Sequence, residues 1–419
     1  MDYKIKHQWA SRGYDGQCCW VQARAGAIPP GFMKGNHDPV VVMTMQKLLL
    51  AGSDVFYELN ETHTTDFGST WSEIVAHPKT LGRRRAPSGV ESVICDATPR
   101  WHAPTGKLLS TGHMASYVGD ALEPGLRRRT TTYTTFDPEK EIWSDWQMMV
   151  MPDMEDKFFS AGAGCTQRFD LETGEILLPI YFKPRSSDGQ GLSVTVVRCS
   201  FDGEKLHYLG HGTEHTTSEG RGLGEPSITR FQGRFYLTMR NDLRGYVSSS
   251  DDGTTFTTPR VWTFDDGAEL GSYNTQQHWV THDDALYLVY SRRGLNNDHV
   301  FRHRAPPVMA QVDPQRLCVI RDSERVIIPE RGARLGNFAI TEVNENETWV
   351  VAAEWMQNGG RNAMAALHKL GIVNGHKNGA PYQPSTNYSA ECEAFGSDNT
   401  IWVARIIWEK KNNFPHWLK

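Results

Sequence analysis

The residues of this chain that could do chemistry stand mostly where an apolar run begins or ends. Glu225 opens the run EPSITRFQGRFYLTMR and Arg240 closes it. A carboxylate and a guanidinium at the two ends of one hairpin suit a base, the partner of a nucleophile, or an anchor for a charged substrate. They would equally suit a structural ion pair. Arg292, Arg293, Arg302 and Arg304 crowd one loop, and Arg331 and Arg334 another. The guanidinium fork matches a carboxylate in two-point contact, so an acidic sugar is the expected ligand unless the set forms only a solvated face. His113 follows Gly112 at the end of a run, where an imidazole titrating near neutrality could act as a base or simply satisfy its neighbours. Tyr273, Gln276, Gln277, His278 and Trp279 open another run. Such groups stack on sugars and hydrogen-bond them, or pack a core. Glu354 is a further acidic candidate. His207, His211 and His215 are spaced by four, as are His299 and His303, but zinc would need that spacing on a helix, and Gly210 and Gly212 oppose one. No GxGxxG, Walker loop or Gly-x-Ser-x-Gly elbow occurs, so nucleotide and serine-hydrolase readings lack their signature loops.

The elements that must position these residues repeat one phrase: an alternating apolar run, a turn, and a second run. Seven copies are legible, at Pro39–Gly52, Ile94–His113, Gly164–Phe182, Glu225–Arg240, Tyr273–Arg292, Asn337–Trp355 and Tyr388–Trp408. Their turn centres, near Gly106, Gly174, Gly233, Asp284, Asn346 and Ser397, recur at roughly 50–70 residues, the size of a four-stranded propeller blade with loop variation. Period-2 patterning makes each phrase a hairpin of inner strands. The fold expected is an all-β propeller of seven four-stranded blades, with six as the alternative, in a single domain over residues 1–419. The last blade would borrow strands from the N-terminal segment around Gln17–Ala25, which would hide an open sheet edge. Two stretches, Thr64–Trp71 and Ser249–Phe256, fit the turn pattern S/T-x-D-x-G-x-T-W, the second with Phe in place of Trp. There the Asp accepts turn amides, the Gly takes positive φ and the aromatic plugs the side of a blade, a structural role.

These boxes, with Glu225, Arg240 and Ser249–Phe256 in succession, resemble the sialidase superfamily of β-propellers, and the likeness covers most of the chain as repeat pattern. The resemblance implies an exo-acting glycosidase that removes an acidic or acid-linked terminal sugar. Asp54, after the first run and before the first box, is the nearest match to the acid/base aspartate, and with Glu225 would make the carboxylate pair of glycoside hydrolysis. Asp54 also reads as a turn cap after Gly52 and Ser53. Arg302 or Arg304 matches a later substrate-binding arginine. Two positions depart from the family. His37-Asp38-Pro39 stands in place of the Arg-Ile-Pro phrase, and Gly336-Asn337-Phe338 stands where the nucleophilic tyrosine opens the sixth repeat. His37, Asn337, Tyr273 and Gln277 are therefore expected beside Arg240 among the substrate contacts.

Seven-bladed polysaccharide lyases look similar in architecture and use His, Tyr and Arg in the central funnel. On that likeness His113 and Tyr181, with Lys183 nearby, would perform β-elimination next to a uronic acid while Arg240 neutralises its carboxylate. A non-catalytic glycan-binding propeller is the third reading. The chain has 419 residues, 22% charged and 39% hydrophobic, with a net charge of −5. That composition is globular and carries no basic stripe for nucleic acid. No run approaches the ~18 apolar residues of a membrane helix. The start, MDYKIKHQW, has no signal-peptide core, so a cytoplasmic protein, or a secreted one already processed, is expected. Seven cysteines without a CxxC pair suit reduced, buried thiols. A glycan partner and no cofactor are expected, with a structural calcium left open.

Overall fold

The computed structural model describes residues 2–50, 54–125, 127–152, 155–186, 191–358, 368, 370–373, 376–381 and 389–413. Alternation of apolar and polar residues, broken by Gly, Asn and Asp turns, makes strand the dominant regular element. The strands form six antiparallel sheets of four or more strands, in a propeller arrangement. In the first sheet, Cys18–Ile28 is innermost, followed by Val40–Leu49, Phe56–Thr64 and Val75–Ala76. The second is built on Glu91–His102 and Lys107–Val118, and the third on Phe169–Asp170, Glu175–Lys183 and Ser193–Phe201. The fourth opens with Gly224–Phe231 and Arg234–Arg240, and the fifth with His278–His282 and Ala285–Tyr290. The sixth runs Ala339–Asn344, Glu347–Ala353, Ile401–Trp408 and then back to Tyr3–Ser11.

An apolar layer lies between each neighbouring pair. Ala25, Met43 and Val41 of the first sheet pack on Trp349 and Val403 of the sixth. Ile28 and Val42 pack on Trp101 and Leu108 of the second. The ring continues through Leu109 with Ile180, Leu177 with Leu237, Trp262 with Trp279, and Val289 with Ile406. Trp262 and Trp279, both buried, tilt against each other at 5.8 Å, a favourable aromatic contact between the fourth and fifth sheets.

Five of the seven phrases are inner hairpins. The first is not: Pro39–Gly52 supplies the second strand of its sheet, and the true innermost strand is Cys18–Ile28. The seventh is not a hairpin either. It contributes a one-turn helix, Ser389–Ala394, and the third strand of the sixth sheet. Its opening residue, Tyr388, and the end of the first phrase, Gly52, lie outside the described residues. Among the described residues there are thus six large sheets rather than seven. The closing segment is Tyr3–Ser11, paired with Ile401–Trp408, and not Gln17–Ala25. Asp66 makes the expected turn, accepting from the Thr70 amide at 2.9 Å; in the second box the pattern's Asp251 is exposed, and its neighbour Asp252 accepts from the Thr254 and Thr255 amides at 2.7 and 2.6 Å. No described helix is long and apolar enough to cross a membrane.

Candidate functional site

Three of the innermost strands break their ladder at one residue on the way in. Gln22, Asp96 and Glu225 sit in register shifts of their strands, and Cys165 in the gap before Phe169–Asp170. These four and Asn274 hold left-handed backbone, at φ 58, 54, 42, 57 and 51 for Gln22, Asp96, Glu225, Cys165 and Asn274. A non-glycine residue in that region costs on the order of 1 kcal/mol, and the cost is concentrated where side chains must be aimed. Here the strain turns Gln22, Asp96, Cys165 and Glu225 into one axial funnel, which Asn337 of the sixth repeat also lines. The funnel holds about 2020 Å³ of empty, solvent-open space.

Its floor is Arg24, which is 1% exposed. The guanidinium donates to Gln22 Oε1 (3.0 Å), Cys165 Sγ (3.1 Å), Gln276 Oε1 (3.4 Å) and the Phe338 carbonyl, and lies 3.8 Å from Asp96. One side chain therefore ties together the first, second and third sheets and the approaches to the fifth and sixth.

Two constellations rise from this floor. The first joins Glu225 to Arg240, whose second nitrogen donates to Asn274 Oδ1 at 2.5 Å. Arg304 donates to the Asn274 carbonyl at 3.0 Å, and Arg302 stacks over Phe301 at 4.8 Å. Arg334 stacks on Trp355 at 3.9 Å and donates to Gln357 Oε1. None of Arg302, Arg304 and Arg334 is ion-paired among the described residues. Burial, then repulsion from Arg240 and Arg334, pulls Arg304 well below the usual arginine range. Burial also brings Arg334 down to about 10. Gly336 makes the crowding feasible, since a Cβ there would meet Arg304 Cδ at 2.7 Å. Asp54 lines the same cavity, its carbonyl held by the Tyr117 hydroxyl at 2.8 Å, and its charge acts on Arg334 and Arg302.

The second constellation is His113, Tyr181 and Asp96. The Tyr181 hydroxyl is 3.3 Å from His113 Nδ1, and Asp96 Oδ2 is 3.6 Å from the same nitrogen. Gly164 admits the imidazole; a Cβ there would fall 2.1 Å from Nδ1. Burial, then the nearby Arg129, pushes His113 well below the ordinary imidazole range and keeps it neutral. Burial raises the Asp96 carboxyl to about 6, against the opposing pull of Arg24. Burial raises the Tyr181 phenol. This corner thus holds a neutral imidazole, a neutral phenol and a carboxyl poised near neutrality, the set general acid–base chemistry requires. Asp96, Glu225 and Asp242 each face an arginine, so the funnel favours an anion over a divalent cation.

Of the residues expected from sequence, Asp54, Glu225, His113, Tyr181, Arg240, Arg302, Arg304 and Asn337 line this one funnel. Three do not. His37 lies in the loop of residues 29–39, which follows Ile28, six residues down the strand from Gln22; at about 3.3 Å per residue that is the far end of the sheet. Tyr273 turns aside, its hydroxyl 2.6 Å from His303 Nδ1 and its ring under Arg293. Gln277 is buried against Thr238 (2.6 Å) and Ser272 (3.0 Å). Glu354 is also internal, holding Arg331 at 2.8 Å and the Asp398 and Thr400 amides. Gln22, Arg24, Asp96, Cys165 and Arg129 were not foreseen as site residues. Their signal is positional: Gln22, Asp96 and Glu225 sit at the register breaks of their innermost strands, and Cys165, Asn274 and Asn337 a few residues ahead of theirs. A smaller cavity of about 420 Å³ lies lower between the strands, but its charged groups pair among themselves, Arg168 with Asp170 and Arg100 with Glu342.

No protein-family model matches the chain, and no curated protein matches its sequence. Solved structures do. A protein of unknown function from Dyadobacter fermentans superposes with a TM-score of 0.60 at 13% identity, over 96% of this chain and 99% of that one. The sialidase of Trypanosoma rangeli bound to the inhibitor DANA gives 0.55 at 12% identity, over 92% of this chain. This chain spans only 55% of that enzyme's length. NanB sialidase from Streptococcus pneumoniae, as its K499G mutant, gives 0.57 at 10% identity, over 96% of this chain and 70% of that one. At such identities the likeness is one of fold: the chain has the propeller arrangement that these sialidases also have.

Proposed function

We propose that the funnel is the active site of a carbohydrate-active enzyme that removes an acidic terminal sugar from a glycan, as a sialidase-like glycoside hydrolase on a six-bladed propeller. The observation that carries this reading is the convergence of Arg240, Arg302, Arg304 and Arg334 with the carboxylates Glu225 and Asp54 in one open cavity. Arg240 is paired with Glu225, but Arg302, Arg304 and Arg334 are not ion-paired among the described residues, and guanidiniums crowded in this way are stabilised by an incoming carboxylate. In this reading Arg240, Arg302 and Arg304 hold the sugar carboxylate. Asp54 protonates the leaving oxygen, and Glu225 activates the attacking group. Asn337 stands where the resemblance would put a nucleophilic tyrosine, so the attacking group here is water.

The contact between Tyr181 and His113 favours a second reading, β-elimination next to a uronic acid. Neutral His113 would take the proton α to the carboxylate. The C–O bond to the leaving sugar would break as the C=C bond forms, and Tyr181 would protonate the departing oxygen. The two readings differ in product, since only elimination leaves a conjugated unsaturated sugar.

The test incubates the protein with sialylated, glucuronate-capped and rhamnose–glucuronate glycans, following released sugar and the ultraviolet absorbance of unsaturated uronate together. Hydrolysis predicts sugar without absorbance, at least 100-fold slower in Glu225→Gln and Arg240→Ala. Turnover undiminished in both variants would sink the hydrolase. Sugar released with rising absorbance, abolished in His113→Ala, would establish the lyase. Binding without any product would mark a lectin.

A further inference from the structure

The funnel carries more positive charge than one acidic sugar needs. Eight arginines line it, Arg127, Arg128, Arg129, Arg221, Arg240, Arg302, Arg304 and Arg334, against the four carboxylates Asp54, Asp96, Glu225 and Asp242. It is a cationic mouth in a chain of net charge −5. The arginines fall into two groups. Arg302 is perturbed by Arg240 and Arg221, and Arg304 by Arg240, Arg334 and Arg302, so these share one wall. Arg129 acts instead on His113 and Tyr181. The chain path explains the separation. Residues 127–129 enter the third strand of the second sheet, Thr131–Asp137, and residues 301–304 lie on the corresponding connection of the fifth sheet, ahead of Val308–Asp313. In a ring of six these sheets face each other.

The second group is anchored rather than loose. The Arg129 carbonyl accepts from the Ala161 amide at 2.9 Å, and its guanidinium stacks 5.3 Å over the Tyr181 ring. Arg127 and Arg128 are exposed at the rim, and none of the three is ion-paired among the described residues. Exposed, adjacent, unpaired arginines repel one another unless an anion is shared between them.

Building on the acidic-sugar reading, we infer that Arg127, Arg128 and Arg129 form a second anion subsite, and that the ligand is a glycan with anionic groups on neighbouring residues. One anion sits on the wall of Arg302 and Arg304. The next, a carboxylate or sulfate of the adjoining sugar, lies across the funnel on Arg127–Arg129.

Calorimetric titration tests this with galacturonic acid, tetragalacturonate, a hyaluronan tetrasaccharide and neutral cellotetraose, at 50 and 300 mM NaCl. At least one charged tetrasaccharide should bind tenfold or more tightly than the monomer, lose most of that advantage at high salt, and lose it in the double variant Arg127→Gln, Arg128→Gln. The wild-type salt dependence stands without the variant. Monomer binding with no gain for either charged tetrasaccharide, or a gain that cellotetraose shares, overturns the second subsite and leaves the acidic-sugar reading intact. No binding of any acidic probe overturns both. A gain that survives in the double variant assigns the second anion elsewhere and also overturns the inference.

Discussion

At the scale of single residues, the site is organised by where burial is tolerated. Asp96 has no motif around it, and sequence reading passes over it because its meaning is geometric. It stands at the register break of its innermost strand, as Gln22 and Glu225 do in theirs, while Cys165, Asn274 and Asn337 stand just before theirs. These six positions hold five residue types, so no repeat of residues exposes the ring. Glu225 and Arg240 are legible because a carboxylate and a guanidinium at the ends of one hairpin must approach. Asp96 also gives a quantitative expectation. Burial raises its carboxyl to about 6, whereas in the unfolded chain it titrates near about 4. The folded chain thus holds that proton more tightly, and ionising it costs stability as pH rises from about 4 through about 6. The cost is complete above that window and absent below it. Asp96→Asn cannot ionise, and any offset from the swap itself is the same at every pH. Urea denaturation should therefore show the variant gaining about 2 kcal/mol on the wild type between pH 4 and pH 7. A difference that stays flat with pH would mean that the Asp96 carboxyl is not perturbed.

At the scale of elements, the hairpin phrase was legible in five of six sheets because inner strands carry the clearest apolar alternation and the tightest turns. It failed at both ends of the chain for a physical reason. Val40–Leu49 is buried on both faces, so its pattern matches that of an innermost strand, while Cys18–Ile28 hides its alternation behind the Gln22 bulge and buried Arg24. The misplaced first hairpin is what sent His37 to the funnel. Ile401–Trp408 is likewise apolar but for Arg405, and reads as the second half of a hairpin although its neighbour is a helix. Arg24 draws Gln22, Asp96, Cys165, Gln276 and the Phe338 carbonyl, from five of the six repeats, to one point. Replacing Arg24 with Met would keep the bulk but leave Asp96 without its counter-charge and Gln22 Oε1 and Gln276 Oε1 without their donor. Removing one partner of a buried pair typically costs about 3–5 kcal/mol, so the urea midpoint should fall accordingly. A cost below about 1 kcal/mol would show that the sheets hold their axial ends together without this plug.

At the scale of the whole molecule, a ring of sheets is stable only when its first and last members meet. Here the last sheet takes its outermost strand from the other end of the chain. Tyr3 pairs with Trp408, Lys6 with Arg405 and Trp9 with Trp402. The identity of this closing strand was not readable in advance, because Tyr3–Ser11 alternates weakly and is half exposed, as befits an outer edge. The contact is nonetheless specific. Tyr3 is buried and packs edge-on against Trp408 at 5.6 Å and Tyr287 at 5.8 Å, which carries the closure into the fifth sheet. Arg325 lies over the Tyr3 ring at 4.4 Å and donates to its carbonyl at 3.1 Å. Deleting residues 2–12 would remove this strand and bare the edge of Ile401–Trp408, whose sequence IWVARIIW has a single charge and strong β propensity. Burying a tyrosine and an isoleucine contributes about 1.5–3 kcal/mol each, so the truncated chain should lose on the order of 4 kcal/mol and melt lower. It should also self-associate through the bared edge, which light scattering would detect below the melting temperature. Tyr3→Ala, which keeps the strand, should reproduce part of the stability loss without the association. A truncated chain that stays monomeric and melts at the wild-type temperature would show that the other five interfaces close the ring unaided.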